Sequence, residues 1–307
     1  MRLKKLYTMK PIITATELSE IFHQENLVIF DARTGKNARE NYLQNHIKGS
    51  RFIDLDKDLA EIGEDAAFGG RHPLPKISKF AETLQNLGIS EDSHIVVYDT
   101  SNGANAAARC WWMLKSFGVE KVQVLSGGFQ TAEKAGIPLK SGEEIFEKTS
   151  FILKENWSWP ISTLEEVEKE ISENSAIVID VRDAYRYRGE SEPIDLVAGH
   201  IPGAINIPFS ENLDENGAFL SPETLKEKYH NLLSDASTPL SMTKKLIIHC
   251  GSGVTACHTI LALDYAGFVT LSTDRKSADE VLEVPNLYVG SWSEWSRREG
   301  KEIAREV

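Results

Sequence analysis

The sequence predicts an α/β fold built as two tandem domains, each a mostly parallel sheet flanked by helices. Three observations carry that prediction. Short apolar runs of strand length alternate with stretches of helical spacing. The signatures of the first half return in the second at near-constant distance. The 307 residues are enough for two cores of ordinary size.

In chain order, Leu27 to Phe30 is a buried-strand run that ends in Asp31-Ala32-Arg33. The turn His46-Ile47-Lys48-Gly49-Ser50 and the apolar Phe52 to Leu55 follow, and Ile77 to Leu87 has helical spacing. His94 to Tyr98 is a second buried strand; it runs through Asp99 and Thr100-Ser101-Asn102-Gly103 into a helical stretch holding Cys110-Trp111-Trp112. The glycine turn Leu125-Ser126-Gly127-Gly128 closes the half. The polar stretch from about Lys140 to Trp159 lacks clean periodicity and ends at Pro160, so the domains are set at residues 1–140 and 160–307 with a linker at 141–159.

The second half repeats the series. Asp180 of Ala176 to Arg182 falls 149 residues after Asp31, His200 of His200-Ile201-Pro202-Gly203 falls 154 after His46, and Cys250 falls 151 after Asp99. The acidic run Glu165 to Glu173 reads as the solvated face of a helix, and Pro222 to Leu233 as another helix. Val289-Gly290-Ser291-Trp292 matches the closing glycine turn, displaced by what reads as an inserted polar loop from Ser272 to Glu283.

The net charge of −12 argues against nucleic acid or an anionic membrane as partner, since both demand a basic face. Small anions need only a few local cations. Three cysteines, Cys110, Cys250 and Cys257, make no disulfide framework and fit a reducing, cytoplasmic setting. Met1 to Lys10 is basic without the apolar run of a signal peptide, and either Met1 or Met9 suits as the native start.

The chemistry concentrates at Cys250. Lys245 to His249 is a strand, the glycines at 251 and 253 break it, and Thr255 to Phe268 resumes with helical spacing. A strand-to-helix turn with two glycines points successive N–H groups into a nest, and the helix adds its positive end. Both favour an anion at the sulfur, and the thiolate is the nucleophilic form of cysteine. A buried, inert Cys is the plain competing reading; Gly251-Ser252-Gly253 argues against it.

Other chemistries fail on the same letters. A phosphatase loop needs Arg six positions after the Cys, where Ala256 stands. No Cys-x2-Cys pair offers a zinc site, so neither metal nor cofactor is expected. Asp99 replaces the thiol in the first half, which therefore keeps the scaffold without the nucleophile. Cys257 reads as helix packing rather than a resolving thiol, and Cys110 with its tryptophans as core.

The tandem halves, the Asp-x-Arg strand ends, the His-Ile-x-Gly turns and the loop Cys250-Gly251-Ser252-Gly253-Val254-Thr255 together resemble two-domain rhodanese-type sulfurtransferases over essentially the whole chain. The loop is similar to that of the 3-mercaptopyruvate sulfurtransferase branch, whereas thiosulfate-preferring relatives usually carry basic residues there. Tyr288 to Trp295 also resembles a segment near the end of such proteins.

The resemblance implies sulfur transfer from a small anionic donor through a Cys250 persulfide, cradled by the N–H groups of Gly251, Ser252, Gly253, Val254 and Thr255, to a small thiol, a thioredoxin-like protein or cyanide. It implies Arg186, with Arg182 beside it, as donor-binding residues, and a relay of Ser252, His72 and Asp56 reaching from the first half into a cleft. One departure stands out: relatives that use mercaptopyruvate often carry an Arg after a Glu-Pro pair, and Glu192-Pro193-Ile194 has none. Thiosulfate with release of sulfite is therefore the alternative donor, and a non-catalytic tandem binding module the reading from another class. If loop neutrality selects the donor, replacing Gly251 and Ser252 by Arg and Lys is expected to shift preference toward thiosulfate.

Overall fold

The computed structural model describes residues 9–150, 155–234, 244–269 and 283–306. The basic residues 1–8 and most of the proposed insertion, residues 272–282, lie outside the described residues.

The first half opens with β1 (Ile12–Ile13), α1 (Ala15–Ile21), β2 (Leu27–Asp31), α2 (Ala38–Gln44), β3 (His46–Ile47) and β4 (Ser50–Phe52). It continues with α3 (Ile77–Asn86), β5 (His94–Tyr98), α4 (Ala106–Phe117), β6 (Val122–Leu125), α5 (Gly128–Lys134) and β7 (Leu139–Lys140). The second half has β8 (Ile161–Ser162), α6 (Leu164–Ser172), β9 (Ala176–Asp180), α7 (Ala184–Arg188), β10 (Ile205–Asn206) and a 3-10 turn at Phe209–Asn212. Then come α8 (Pro222–Ser234), β11 (Lys245–His249), α9 (Thr255–Tyr265), β12 (Asn286–Tyr288) and α10 (Ser291–Trp295).

Each half forms a five-stranded sheet. The orders are β1-β6-β5-β2-β4 and β8-β12-β11-β9-β10, the same topology twice, with every pairing in both sheets parallel. β3 and β7 pair antiparallel outside the first sheet. The predicted α/β class with mostly parallel sheets is what the chain adopts, and the buried runs at β2, β5, β9 and β11 are its strands because both faces are covered by helices.

Local signals repeat as well. Thr14 caps α1 and Thr163 caps α6, each accepting the N–H of a glutamate, Glu17 or Glu166, whose carboxylate accepts the threonine N–H in return. The acidic residues of α6 lie on its solvent side and reach basic partners, Glu165 to Arg298 and Glu168 to Lys301.

The two halves share one core. Cys110, Trp111, Trp112, Trp159, Cys257, Ile260 and Leu261 belong to a single apolar cluster, and Trp159 meets Trp111 and Trp112 edge-on at ring distances of 5.3 and 5.9 Å. α4 packs on α9. Because those two helices follow β5 and β11, their packing brings the carboxyl ends of the two central strands together, the place where parallel α/β sheets bind ligands.

Candidate active site

Cys250 follows the last residue of β11 and is 1% exposed. Its backbone is fixed by α10: the Cys250 N–H donates to Ser291 Oγ at 3.2 Å, Trp292 N–H donates to the Cys250 carbonyl at 3.0 Å, and Ser293 N–H to the Gly251 carbonyl at 2.8 Å. With those carbonyls turned toward α10, the loop amides are left to face elsewhere, and among the described residues no protein acceptor takes the N–H of residues 251–254. Gly253 has φ +72°, and a Cβ there would meet the Val289 carbonyl oxygen at 2.6 Å, so both the turn and the close approach require glycine. Val254 then caps α9 and Thr255 is its first residue.

The first half shows what such a loop holds. Asp99 follows β5, and its buried carboxylate accepts four backbone N–H groups, from Ser101, Gly103, Asn105 and Ala107, at 2.8 to 3.1 Å. Burial raises the Asp99 carboxyl above its ordinary value, with those four donors opposing. Phe129 N–H donates to the Asp99 carbonyl at 2.9 Å, just as Trp292 does to Cys250. One scaffold thus carries an anion cradle twice. In one half the chain's own carboxylate fills it; in the other the residue at its mouth is a thiol.

The structure brings Ser252, His72 and Asp56 together although His72 and Ser252 come from different halves. His72 Nδ1 lies 2.8 Å from Ser252 Oγ and His72 Nε2 lies 3.3 Å from Asp56 Oδ1. Burial and the neighbouring Arg71 charge push the imidazole down to about 4, with Asp56 opposing. Neutral His72 therefore donates from Nε2 to Asp56 and accepts the Ser252 hydroxyl at Nδ1. The segment that carries His72 is docked rather than solvated: Gly69 N–H donates to Glu294 Oε1 at 2.9 Å and Arg71 N–H to Ser293 Oγ at 3.0 Å.

The two arginines expected at the donor have different surroundings. Arg182 is spent within the scaffold: it pairs with Asp180 at 2.6 Å and Glu192 at 3.1 Å, donates to the Gly199 carbonyl at 2.7 Å and stacks on Trp292. Its first-half twin Arg33 pairs with Asp31 at 2.6 Å and donates to the Asn45 carbonyl at 2.9 Å, in a half with no nucleophile. Arg182 thus repeats the bonds of Arg33 to a strand-end aspartate and a backbone carbonyl, and adds Glu192. Arg186 instead borders the loop, with Nη2 3.5 Å from the position of a Cβ on Gly251. Burial works against its charge, but the bonds and charges of Glu192 and Asp195 outweigh this and hold the guanidinium above its ordinary value.

Sequence reasoning missed three members of the site. Arg109, on α4, is fully buried and donates to the Gly253 carbonyl at 3.0 Å and the His72 carbonyl at 3.1 Å, so one guanidinium ties the cysteine loop to the relay. Asp195 is buried and receives Arg71 at 3.0 Å, Arg186 at 3.4 Å and Arg297 at 3.0 Å. Arg71, the third, stands beside the Cys250 loop in space and 179 residues from Cys250 in sequence, a proximity no spacing rule encodes. The other two thiols are sealed: burial pushes Cys257 up to about 12 and Cys110 further still.

The Rhodanese-like domain family matches residues 14–135 and 163–298. A Pseudomonas aeruginosa protein named "Probable 3-mercaptopyruvate sulfurtransferase" is 37% identical over 289 residues, 92% of this chain and 94% of that protein. A thiosulfate sulfurtransferase of Rattus norvegicus is 34% identical over 267 residues, 86% of this chain and 81% of the other. The structure of an Escherichia coli 3-mercaptopyruvate sulfotransferase superposes with a TM-score of 0.74 at 30% identity, covering 93% of this chain and 100% of that one. With both halves matched and the same sheet formed twice, the chain belongs to the rhodanese family as a tandem of two Rhodanese-like domains.

Proposed function

We propose that this sulfurtransferase moves sulfur from 3-mercaptopyruvate, through a persulfide on Cys250, to a thiol or cyanide acceptor and releases pyruvate. The observation that carries the reading is the repeated loop: in the first half it closes its amides on the Asp99 carboxylate, and in the second Cys250 stands at the Asp99 position while the N–H groups of residues 251–254 have no protein acceptor among the described residues. We assign residues 1–140 to the half that lacks a nucleophile, 141–159 to the linker and 160–307 to the half that carries Cys250.

In the first step the Cys250 thiolate attacks the substrate sulfur. An S–S bond forms, the substrate C–S bond breaks, and its electron pair becomes the enolate of pyruvate. The proton leaving the transferred sulfur is the one the enolate carbon needs. Ser252 and neutral His72 carry it, with Asp56 holding the imidazole tautomer. The loop amides of residues 251–255 stabilise the charged persulfide, and Arg186 binds the donor carboxylate. In the second step an acceptor thiol or cyanide takes the outer sulfur and Cys250 leaves as thiolate. No step calls on a metal or cofactor.

Thiosulfate, releasing sulfite, is the second reading, favoured by Ile194 standing where the mercaptopyruvate users often carry an arginine. A purely binding role suits the first half, where Asp99 closes the loop. As for setting, no helix among the described residues is long and apolar enough to cross a membrane. Steady-state kinetics with the two donors, reading pyruvate and sulfite separately, test the reading. A higher kcat/KM for 3-mercaptopyruvate is expected; a higher value for thiosulfate would replace the donor.

A further inference from the structure

We infer that Arg71, from the first half of the chain, is a donor-binding residue that takes the place of the arginine missing after Pro193 and, with Arg186, clamps the carboxylate of the sulfur donor. The inference rests on the donor proposed above and names a residue that the sequence motif does not contain.

Four observations carry it. First, a Cβ built on Gly251 would lie 3.1 Å from Arg71 Nη2 and 3.5 Å from Arg186 Nη2, so two guanidiniums from different halves converge on the residue next to the nucleophile. Second, Asp195 holds them in place: it accepts Arg71 Nε at 3.0 Å and Arg186 Nη2 at 3.4 Å. Third, both have a donor left over. The bonds of Arg71 use its backbone N–H, Nε and Nη2, those of Arg186 use Nε and Nη2, and among the described residues neither Nη1 has a partner. Fourth, among the described residues Arg71, Arg182, Arg186 and Arg297 pair with three carboxylates, Asp180, Glu192 and Asp195, so these ion pairs hold more cations than anions.

Two guanidiniums that converge beside the nucleophile, each with an Nη1 that has no partner among the described residues, match the two oxygens of a carboxylate. The arrangement also accounts for the neutral loop: Gly251 leaves room for guanidiniums that arrive from elsewhere. Arg71 keeps its side chain 27% exposed, so a donor entering from solvent can reach it.

The test compares the full-length wild type with Arg71→Gln, Arg71→Lys and Arg186→Gln, measuring kcat and KM for 3-mercaptopyruvate and the inhibition constant of pyruvate, a carboxylate that undergoes no chemistry. Arg71→Gln should raise both KM and the pyruvate inhibition constant by about ten- to a hundredfold, the worth of a charge-assisted contact, with kcat changed far less. Arg71→Lys should recover part of the loss, which also shows that the segment still docks. If the wild type turns over 3-mercaptopyruvate and Arg71→Gln keeps both constants within twofold, the inference fails alone. If the wild type does not turn over 3-mercaptopyruvate at all, the donor assignment fails and this pairing fails with it.

Discussion

His72 Nδ1 lies 2.8 Å from Ser252 Oγ, and the contact joins the two halves of the chain at the loop that holds Cys250. Because burial and Arg71 depress the imidazole to about 4, His72 stays an acceptor through the neutral and mildly acidic range. The acid limb of kcat/KM that belongs to His72 should therefore fall near pH 4 rather than near 6.5. His72→Asn should lower kcat by about a hundredfold or more, the usual contribution of a positioned acid-base group, and remove that limb. An unchanged limb in His72→Asn would take the imidazole out of proton transfer.

The buried histidines should also make the fold sensitive to acid. Burial lowers His72 to about 4, lowers His258 to about 3 and also lowers His249. Each of these imidazoles binds more protons unfolded than folded as pH falls below 6.5, so the stability it contributes is fully present above pH 6.5 and is lost as pH falls toward its folded value, while Asp264, which burial raises to about 6, works in the opposite sense. The slope is at most about 1.4 kcal/mol per pH unit for each histidine. Between pH 7.5 and 4.5 the melting temperature should fall less in His258→Phe, which replaces an imidazole stacked on Phe219, than in the wild type. The same pH dependence in both proteins would contradict the burial of His258 as a neutral imidazole.

The loop-charge experiment has an outcome opposite to the one the sequence suggests. From the motif alone, Gly251→Arg with Ser252→Lys should shift preference toward thiosulfate. In the structure a side chain at 251 enters between Arg71 and Arg186, which already supply the positive charge, and Ser252 is the hydroxyl that meets His72. Like charges at this spacing repel, and the relay is lost. The double variant should lose at least about tenfold in kcat/KM with both donors. A gain with thiosulfate would mean that the arginines around Gly251 do not govern donor choice.

The repeat made the fold legible. Two buried runs ending in Asp-x-Arg, two His-Ile-x-Gly turns and two strand-loop-helix units map onto β2 and β9, β3 with the turn at His200, and β5 with β11. β1 and β8 were invisible because two residues cannot show a period of two; the Thr-x-x-Glu spacing of Thr14 with Glu17 and Thr163 with Glu166 is a helix-start signal that sequence reasoning missed. Within the site, Cys250 announced itself through its glycines, and Ser252, His72 and Asp56 through family resemblance. Arg109 and Arg71 carried no local signal, since their partners lie in the other half or far along the chain, and Asp195 draws Arg71, Arg186 and Arg297 from separate segments. Arg182 is the reverse case. Its repetition as Arg33 was present in the sequence, and it marks a bond that the two halves share.

The central claim is that Cys250 alone carries the sulfur. Burial holds the Cys257 and Cys110 thiols far from the thiolate form, and the loop that follows Cys250 has N–H groups with no protein partner among the described residues. Intact mass and peptide mapping after incubation with 3-mercaptopyruvate measure this directly. The account predicts a gain of about 32 Da, one sulfur atom, on the peptide containing Cys250, present in Cys257→Ser and Cys110→Ser and absent in Cys250→Ser along with turnover. No adduct with any sulfur donor, or an adduct that follows Cys257 instead, would contradict it.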